Sequence, residues 1–227
     1  MEPTQANKDL NDFCRTYSKA TWMLKIAADD YASARCLILS GLLGGLILGS
    51  QALEKLLKAY LLFHDRETPV KRLSHSLTRL LRSVRETYPT LSLDQFEEVA
   101  SRFERHYEAR YPDNPNSLAS KTGLEINDLD RFVIYLNENL PCPKNVRFRT
   151  GLYAIVTSSF ELDVMPPWEF WIKTQNEELA RLLPQISSEY VAVLEEIHPG
   201  IFESQTKRPS EQPPKQPILQ FVNHHLV

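Results

Sequence analysis

The sequence predicts an all-α protein, built as an antiparallel helical bundle with a C-terminal extension. Apolar residues recur at helical spacing through the first 140 positions, and the most apolar stretch of the chain lies among them at residues 30–64. Proline and other turn residues separate the helical patterns from one another. We therefore expect a bundle over residues 1–140, an extension over 141–203 that packs on it, and a proline-rich, disordered tail over 204–227.

The first helical pattern begins at Lys8 and places Leu10, Phe13 and Tyr17 on one face. It either continues or restarts near Ser18. The residues before it contain no basic segment followed by an apolar one, which argues against a secretory signal. The three cysteines lack metal-ligand spacing and are typical of reduced thiols, so we expect a cytoplasmic protein without a metal or a cofactor.

The most apolar stretch, residues 30–64, is expected to form one long buried helix that is either continuous or briefly broken near Ser40 and Gly41. A membrane span is the competing interpretation. Its most apolar run, residues 36–49, is shorter than the ~20 residues that a bilayer requires. We therefore favour burial within the protein and expect no membrane contact.

Glycines interrupt this stretch at positions where they need a physical reason. Each glycine costs roughly 1 kcal/mol relative to alanine inside a helix. Gly41, Gly45 and Gly49 recur every fourth residue and would form one smooth stripe, along which another helix could approach closely. The approaching helix belongs either to the same chain or to a second copy, and we favour the same chain.

Further helices follow in the second third of the chain. Pro69 ends the central helix, and the next is expected from Ser74, a suitable N-cap, to Tyr88. A capping box at residues 92–95 opens another helix, and one more spans residues 127–139. The expected core faces consist of Leu77, Leu80, Leu81 and Val84, of Leu93, Phe96, Ala100, Phe103 and Tyr107, and of Leu129, Phe132, Val133 and Leu136.

The residues after the bundle are less regular. Between residues 145 and 159, β-type side chains surround Gly151, so a short strand pair is one interpretation and a helix over residues 152–160 is the other. Both stay open. A last helix is expected over residues 168–183, where tryptophan and leucine side chains could cover the bundle.

Basic residues lie opposite the core face of the helix expected from Ser74. Arg72, His75, Arg79 and Arg82 fall on one line, and this line could hold phosphates because arginine presents a planar fork of donors. An ordinary solvated helix face is the alternative. The net charge of −3 gives no overall attraction to nucleic acid, so any polyanion site must be local, and the basic residues are too few for duplex binding.

Several short segments resemble the HEPN family in their order along the chain: Ala28-Asp29-Asp30-Tyr31, Ala34-Arg35, the block from Gln51 to Tyr60, Ser74-His75-Ser76-Leu77 and Arg110-Tyr111-Pro112-Asp113. The similarity covers residues 19–113, about half of the chain. HEPN domains are helical and occur in prokaryotic toxin, defence and nucleotidyltransferase-partner proteins. The resemblance therefore implies an all-helical fold and a role in a stress or defence system.

Ribonucleases of this family use an arginine and a histidine separated by four to six residues. Histidine serves as the proton carrier at the ribose hydroxyl, and arginine stabilises the charge of the phosphate. No histidine of this chain is preceded by an arginine at that separation: three residues lie between Arg102 and His106, and eight between Arg66 and His75. We therefore predict no catalytic residues, and we expect His106 to be a solvated residue on a helix surface.

Family members without the catalytic pair resemble interaction modules that bind a nucleotidyltransferase, a nucleotide-like ligand or RNA through a dimer groove. The residues whose positions best match such a role are Lys55, Lys58, Arg72, His75, Arg79, Arg82, Arg110 and Tyr111. For the lysines, an exposed helix edge with local ion pairs is an equal alternative, and Tyr111 could instead fill the core.

The sequence thus predicts a cytoplasmic, non-catalytic binding or regulatory module. The expected partners are a second copy of the chain, a nucleotidyltransferase or an antitoxin protein, and RNA or a nucleotide. One alternative is a metal-independent ribonuclease with a rearranged site, which would use His75 or His106 together with Arg72, Arg79, Arg82 or Arg102. The other is a structural interaction protein whose final apolar segment docks on another protein.

Overall fold

The computed structural model describes residues 5–108 and 125–150, together with the single helical position 192. The predicted all-α fold class is confirmed, and no strand occurs in the described residues. The helices are α1 (Gln5–Thr16), α2 (Ser18–Leu39), α3 (Gly44–His64), α4 (Leu77–Thr87), α5 (Glu97–Glu108), α6 (Glu125–Glu138) and α7 (Lys144–Thr150), and 3-10 turns precede α4 at Val70–Arg72 and α5 at Asp94–Phe96. None of the described helices combines the length and the apolarity needed to cross a bilayer.

The central apolar stretch forms a helical hairpin, because α2 ends at Leu39 and α3 runs back along it. The expectation of one long helix is therefore wrong, and the break near Ser40 and Gly41 is confirmed. Gly41 adopts a positive φ of 75°, and its amide donates to Ile38 O while that of Leu42 donates to Leu37 O. This is the hydrogen-bond pattern with which glycine ends helices. Leu42 itself is exposed at the tip of the hairpin, so the stretch is not buried throughout.

Close contact between α2 and α3 explains Gly45. A Cβ atom there would lie 2.6 Å from Ile38 N and 2.8 Å from Ala34 O, which are backbone atoms of α2. A Cβ atom at Gly49 would lie 2.9 Å from the Phe103 ring. The prediction that these glycines serve packing within the chain is confirmed, whereas Gly41 belongs to the turn and not to the helical stripe.

Helix α3 is the centre of the core, and α2, α4, α5 and α6 pack against it. Apart from half-exposed Tyr107, the side chains of the predicted core faces in α4, α5 and α6 are buried. Tyr60 crosses this core, and its hydroxyl donates to Leu136 O at 2.7 Å. Burial raises the pKa of the Tyr60 phenol, so it stays a neutral donor.

Two predicted helix starts are wrong. Helix α4 begins at Leu77, and its cap is Ser76, whose hydroxyl oxygen accepts from Arg79 N at 3.3 Å, whereas the Ser74 hydroxyl accepts from Ser76 N. The capping box at residues 92–95 does not form: Gln95 donates to the backbone oxygen of Ser92, and a 3-10 turn precedes α5. In both places, a hydrogen bond within a local turn engages the serine before the helix begins: the hydroxyl of Ser74 in one case and the backbone oxygen of Ser92 in the other.

The open assignment after the bundle is settled in part. Residues 144–150 form helix α7, which packs against α1 and α2, so the strand interpretation is wrong for this segment. α7 is the beginning of the expected extension. Residues 151–160, the expected helix over 168–183 and the proline-rich tail over 204–227 lie outside the described residues.

Candidate functional site

The basic residues around the start of α4 form an exposed row. Leu77, Leu80, Leu81 and Val84 bury one face of the helix, which leaves the opposite face in solvent. Arg79 and Arg82 lie on that face, while Arg72 ends the preceding 3-10 turn and His75 lies between the turn and the helix. All four residues are exposed, and we call them the basic row. Since α4 starts later than expected, the row comes from two segments and not from one helix.

The arginines of the basic row differ from their neighbour Arg85 in how their charge is compensated. Arg85 forms ion pairs with Asp94 and Glu97, and these contacts raise its pKa. Within residues 5–108 and 125–150, no ion pair is found for Arg72, Arg79 or Arg82. Their positive charges are therefore exposed to solvent and available to an anion.

The lysines predicted as ligand-binding residues are engaged by carboxylates of the bundle. Lys55 on α3 forms an ion pair with Asp30 on α2. Lys58 is only 4% exposed, and its Nζ lies 2.6 Å from Glu54 Oε1. Both lysines therefore add little positive charge to the exposed row. The Lys55 contact joins α3 to α2, whereas the Lys58 contact lies within α3.

Glu54 links this lysine to the basic row. Its Oε1 atom, which accepts from Lys58, also lies 3.0 Å from His75 Nδ1. The His75 side chain is 74% exposed. The carboxylate thus orients the imidazole while leaving most of the ring in contact with solvent.

The structure contradicts the prediction that His106 is solvated. Helix α5 turns this residue into the core, where it is 2% exposed and lies edge-on to Phe103. Its Nε2 atom has no hydrogen-bond partner among the described residues. Arg102, the other half of this near-match to the catalytic spacing, forms an ion pair with Asp128. The two side chains are therefore not presented together to solvent.

Burial sets the protonation of His106. It lowers the pKa of the imidazole from the ordinary value of 6.5, Glu125 opposes this effect, and Arg102 and Arg105 add to it. The unfolded chain then binds more protons than the folded chain at and below about pH 6.5. The folded state consequently loses stability as the pH falls through this region.

We expect the melting temperature to fall between about pH 7.5 and about pH 5.5, and to fall less in His106→Gln, which cannot take up this proton. Differential scanning fluorimetry over this range measures the effect. His64→Gln, which removes an exposed imidazole, is the matched control and should keep the wild-type pH dependence. Equal pH slopes for His106→Gln and wild type would contradict a buried neutral imidazole.

A buried ion pair that the sequence did not reveal joins α2 to α6. Arg35 and Asp130 are at most 1% exposed, and Arg35 Nε and Nη2 each lie 2.7 Å from one of the two carboxylate oxygens. The Tyr31 hydroxyl donates to the same carboxylate, and burial together with Asp130 raises the pKa of this phenol. The sequence does carry one sign of this ion pair, a charged residue on an apolar helix face: Asp130 lies between Leu129 and Phe132.

The remaining predicted site residues, Arg110 and Tyr111, lie outside the described residues. The structure therefore places Arg72, His75, Arg79 and Arg82 at the surface, whereas the charges of Lys55 and Lys58 are compensated by Asp30 and Glu54. Among the described residues, no group of histidine, cysteine, aspartate and glutamate side chains has the arrangement of a metal site.

Comparison with protein-family models gives a match to the HEPN domain over residues 20–133. This segment spans half of the chain and includes α2, α3, α4, α5 and most of α6. Neither the curated proteins nor the solved structures include a significant match to this chain. The matched segment coincides with the helices that build the core and carry the basic row, and the chain belongs to the HEPN family.

Proposed function

We propose that this chain is a non-catalytic module that binds RNA or a nucleotide through the basic row. The observation that carries the proposal is the exposure of Arg72, Arg79 and Arg82 without a carboxylate partner among the described residues. Arginine presents donors in a planar fork that matches phosphate oxygens. A phosphate at this row would gain charge-assisted hydrogen bonds without having to displace an existing ion pair.

The local character of the row suits a chain with a net charge of −3. Without an overall positive charge, long-range attraction of nucleic acid is weak, and affinity depends on a few direct phosphate contacts. A small number of phosphate contacts favours a single-stranded segment or a nucleotide as the ligand. A duplex is disfavoured, because its binding requires contacts to many phosphates. His75, between the 3-10 turn and α4, offers a further donor to the same ligand.

Family membership supports a wider setting for this binding. We place the chain in the cytoplasm, in a prokaryotic stress or defence system, where it acts as a regulatory module. A second copy of the chain and a nucleotidyltransferase or antitoxin protein are the proposed protein partners. Arg110 and Tyr111 stay candidates for the same ligand-binding surface, since they follow α5 in the sequence.

Replacing Arg79 or Arg82 with glutamine should weaken binding of a labelled single-stranded RNA and reduce its salt dependence. Each phosphate contact that is lost should lower the slope of log K against log salt by about 0.7. Fluorescence anisotropy at several salt concentrations measures both quantities. Arg85→Gln is the matched control on the same helix, because its charge is already compensated by Asp94 and Glu97. If Arg85→Gln and Arg79→Gln lose affinity equally, the basic row is not the binding site.

A metal-independent ribonuclease is the second candidate, and one observation favours it. Glu54 orients the exposed His75 ring beside the arginines of the row. An imidazole held by a carboxylate can carry the proton of a ribose hydroxyl while arginine stabilises phosphate charge. Incubating the RNA with wild-type protein and a chelator separates the candidates. Cleavage that disappears in His75→Ala would replace the binding proposal, and intact RNA would retain it.

A further inference from the structure

A cavity of about 420 Å³ lies at the junction between α1 and α2. No residue of the basic row lines it. Tyr17, Ala20 and Leu62 contribute apolar groups to its wall, and the hydroxyl-bearing residues Thr16 and Ser18 also line it. Three basic residues surround the space: Arg15, Lys19 and Arg66. Among the described residues, Glu67 is the only acidic one in the lining.

The basic groups of this cavity are weakly held. Arg15 forms an ion pair with Asp12 and Arg66 forms one with Glu67, and both pairs lie in solvent. Exposed ion pairs of this kind contribute little to stability, so an anion can replace the carboxylate without a large loss. Lys19 Nζ donates to the backbone oxygen of Arg66 at 3.1 Å, a neutral acceptor, and no ion pair of Lys19 is found within residues 5–108 and 125–150. The cavity therefore has the donors and the charge for a phosphate group.

An exposed tryptophan lies one helical turn from a residue that lines this cavity. Trp22 follows Lys19 by one helical turn on α2, which places the two side chains on the same side of the helix. Its side chain is 58% exposed, and Lys25 Nζ lies 5.8 Å from the ring centroid. A single exposed apolar side chain needs no explanation of its own. Here, however, the indole follows Lys19, which lines the cavity, by one helical turn, and aromatic rings flanked by cations are how proteins hold unpaired bases.

We propose that the α1–α2 junction binds one nucleotide unit, with its phosphate in the cavity against Lys19 and Arg66 and its base stacked on Trp22. Lys19, which lines the cavity, and Trp22 are three residues apart on α2, a rise of roughly 4.5 Å along the helix axis, so one nucleotide can extend from Lys19 to the ring. The base must be unpaired, because the bases of a duplex are covered by their neighbours. Stacking tolerates any base, since every base has a π-face. The ligand is a free nucleotide or one residue of a single strand.

This inference does not rest on the proposed function, because no residue of the basic row lines the cavity. Titrating the full-length protein with uridine monophosphate, and separately with a short oligouridylate, tests it. Both probes stack poorly on themselves and leave their bases free to reach Trp22. We expect quenching of the Trp22 component of the tryptophan emission in the wild-type protein. Because Trp22→Ala and Trp22→Phe both lack this indole, fluorescence anisotropy of the labelled probe measures their affinity, which should fall further in Trp22→Ala than in Trp22→Phe. Because Trp22 is exposed, thermal unfolding should be unchanged in both variants.

Affinity for the probe should fall roughly 5- to 150-fold in Trp22→Ala, as expected for the loss of one stacked base. Lys19→Gln and Arg66→Gln should each weaken binding and reduce its salt dependence. Lys8→Gln, which changes an exposed lysine of α1 outside the cavity, should not. Quenching by uridine monophosphate identifies a free-nucleotide site, and quenching by oligouridylate alone identifies a site for a strand.

Two results would overturn the assignment. The first is that neither probe quenches the Trp22 emission. The second is quenching that persists unchanged in both Lys19→Gln and Arg66→Gln. Arg79→Gln separates this site from the basic row. If that variant loses RNA affinity while Trp22 quenching is preserved, the two sites act independently. If neither Arg79→Gln nor Arg82→Gln changes RNA binding while Trp22 quenching is seen, the proposed function fails and this inference stands.

Discussion

Replacing Asp130 with alanine should lower the free energy of unfolding by about 3–5 kcal/mol, the range found when one partner of a buried ion pair is removed. The guanidinium of Arg35 would be left in the core without its carboxylate, and the Tyr31 hydroxyl would lose its acceptor. Both groups are essentially inaccessible to solvent, so water cannot replace the lost contacts. Urea unfolding, followed by circular dichroism, measures the change from the transition midpoint at constant slope.

Asp94→Ala is the matched control for this experiment. Asp94 also forms an ion pair with an arginine, Arg85, but its side chain is 79% exposed. Its removal should therefore cost at most about 1 kcal/mol. The double variant Arg35→Met/Asp130→Leu should recover much of the lost stability, because apolar residues of similar volume often replace a buried pair without loss. A loss in Asp130→Ala no greater than in Asp94→Ala would show that the pair is not buried in solution.

The fold could be predicted from the sequence because the core faces follow a local rule. Leu77, Leu80, Leu81 and Val84 recur at helical spacing and are buried together against α3 and α5. The limits of the helices depend on a few hydrogen bonds and were less predictable. Ser74 and Ser76 are both good caps by type, and only the turn before α4 decides that Ser76 takes this role.

The candidate site could be predicted only where exposure follows from the same local rule. Arg79 and Arg82 lie opposite the apolar face of α4, so their exposure follows from the helical period. The engagement of Lys55 depends on Asp30 of another helix, a contact that spacing along one helix cannot reveal. The expected core face of α5 passes through Phe103 and Tyr107 and does not include His106, whereas in the structure Phe103 and His106, three residues apart, share the buried face.

The second large effect on stability is expected in the hairpin of α2 and α3, where Gly44 and Gly45 are adjacent. We expect Gly45→Ala to destabilise the protein by roughly 1–3 kcal/mol, because its Cβ atom would overlap backbone atoms of α2 that cannot move independently. This loss is a net value, since alanine gains roughly 0.5–1 kcal/mol over glycine inside a helix. The clash must exceed that gain, and contacts of 2.6 and 2.8 Å to Ile38 N and Ala34 O are close enough for this to occur.

Gly44→Ala is the control, because the nearest atom to its added Cβ is Leu37 Cδ1 at an ordinary 3.7 Å. This variant should be neutral or more stable by up to about 1 kcal/mol, through its helix propensity. Thermal and urea unfolding of the two variants should therefore change in opposite directions at neighbouring positions. Stabilisation by both substitutions would mean that α2 and α3 lie further apart than described. The pairing of Asp30 with Lys55 across the same interface would then lose its structural basis.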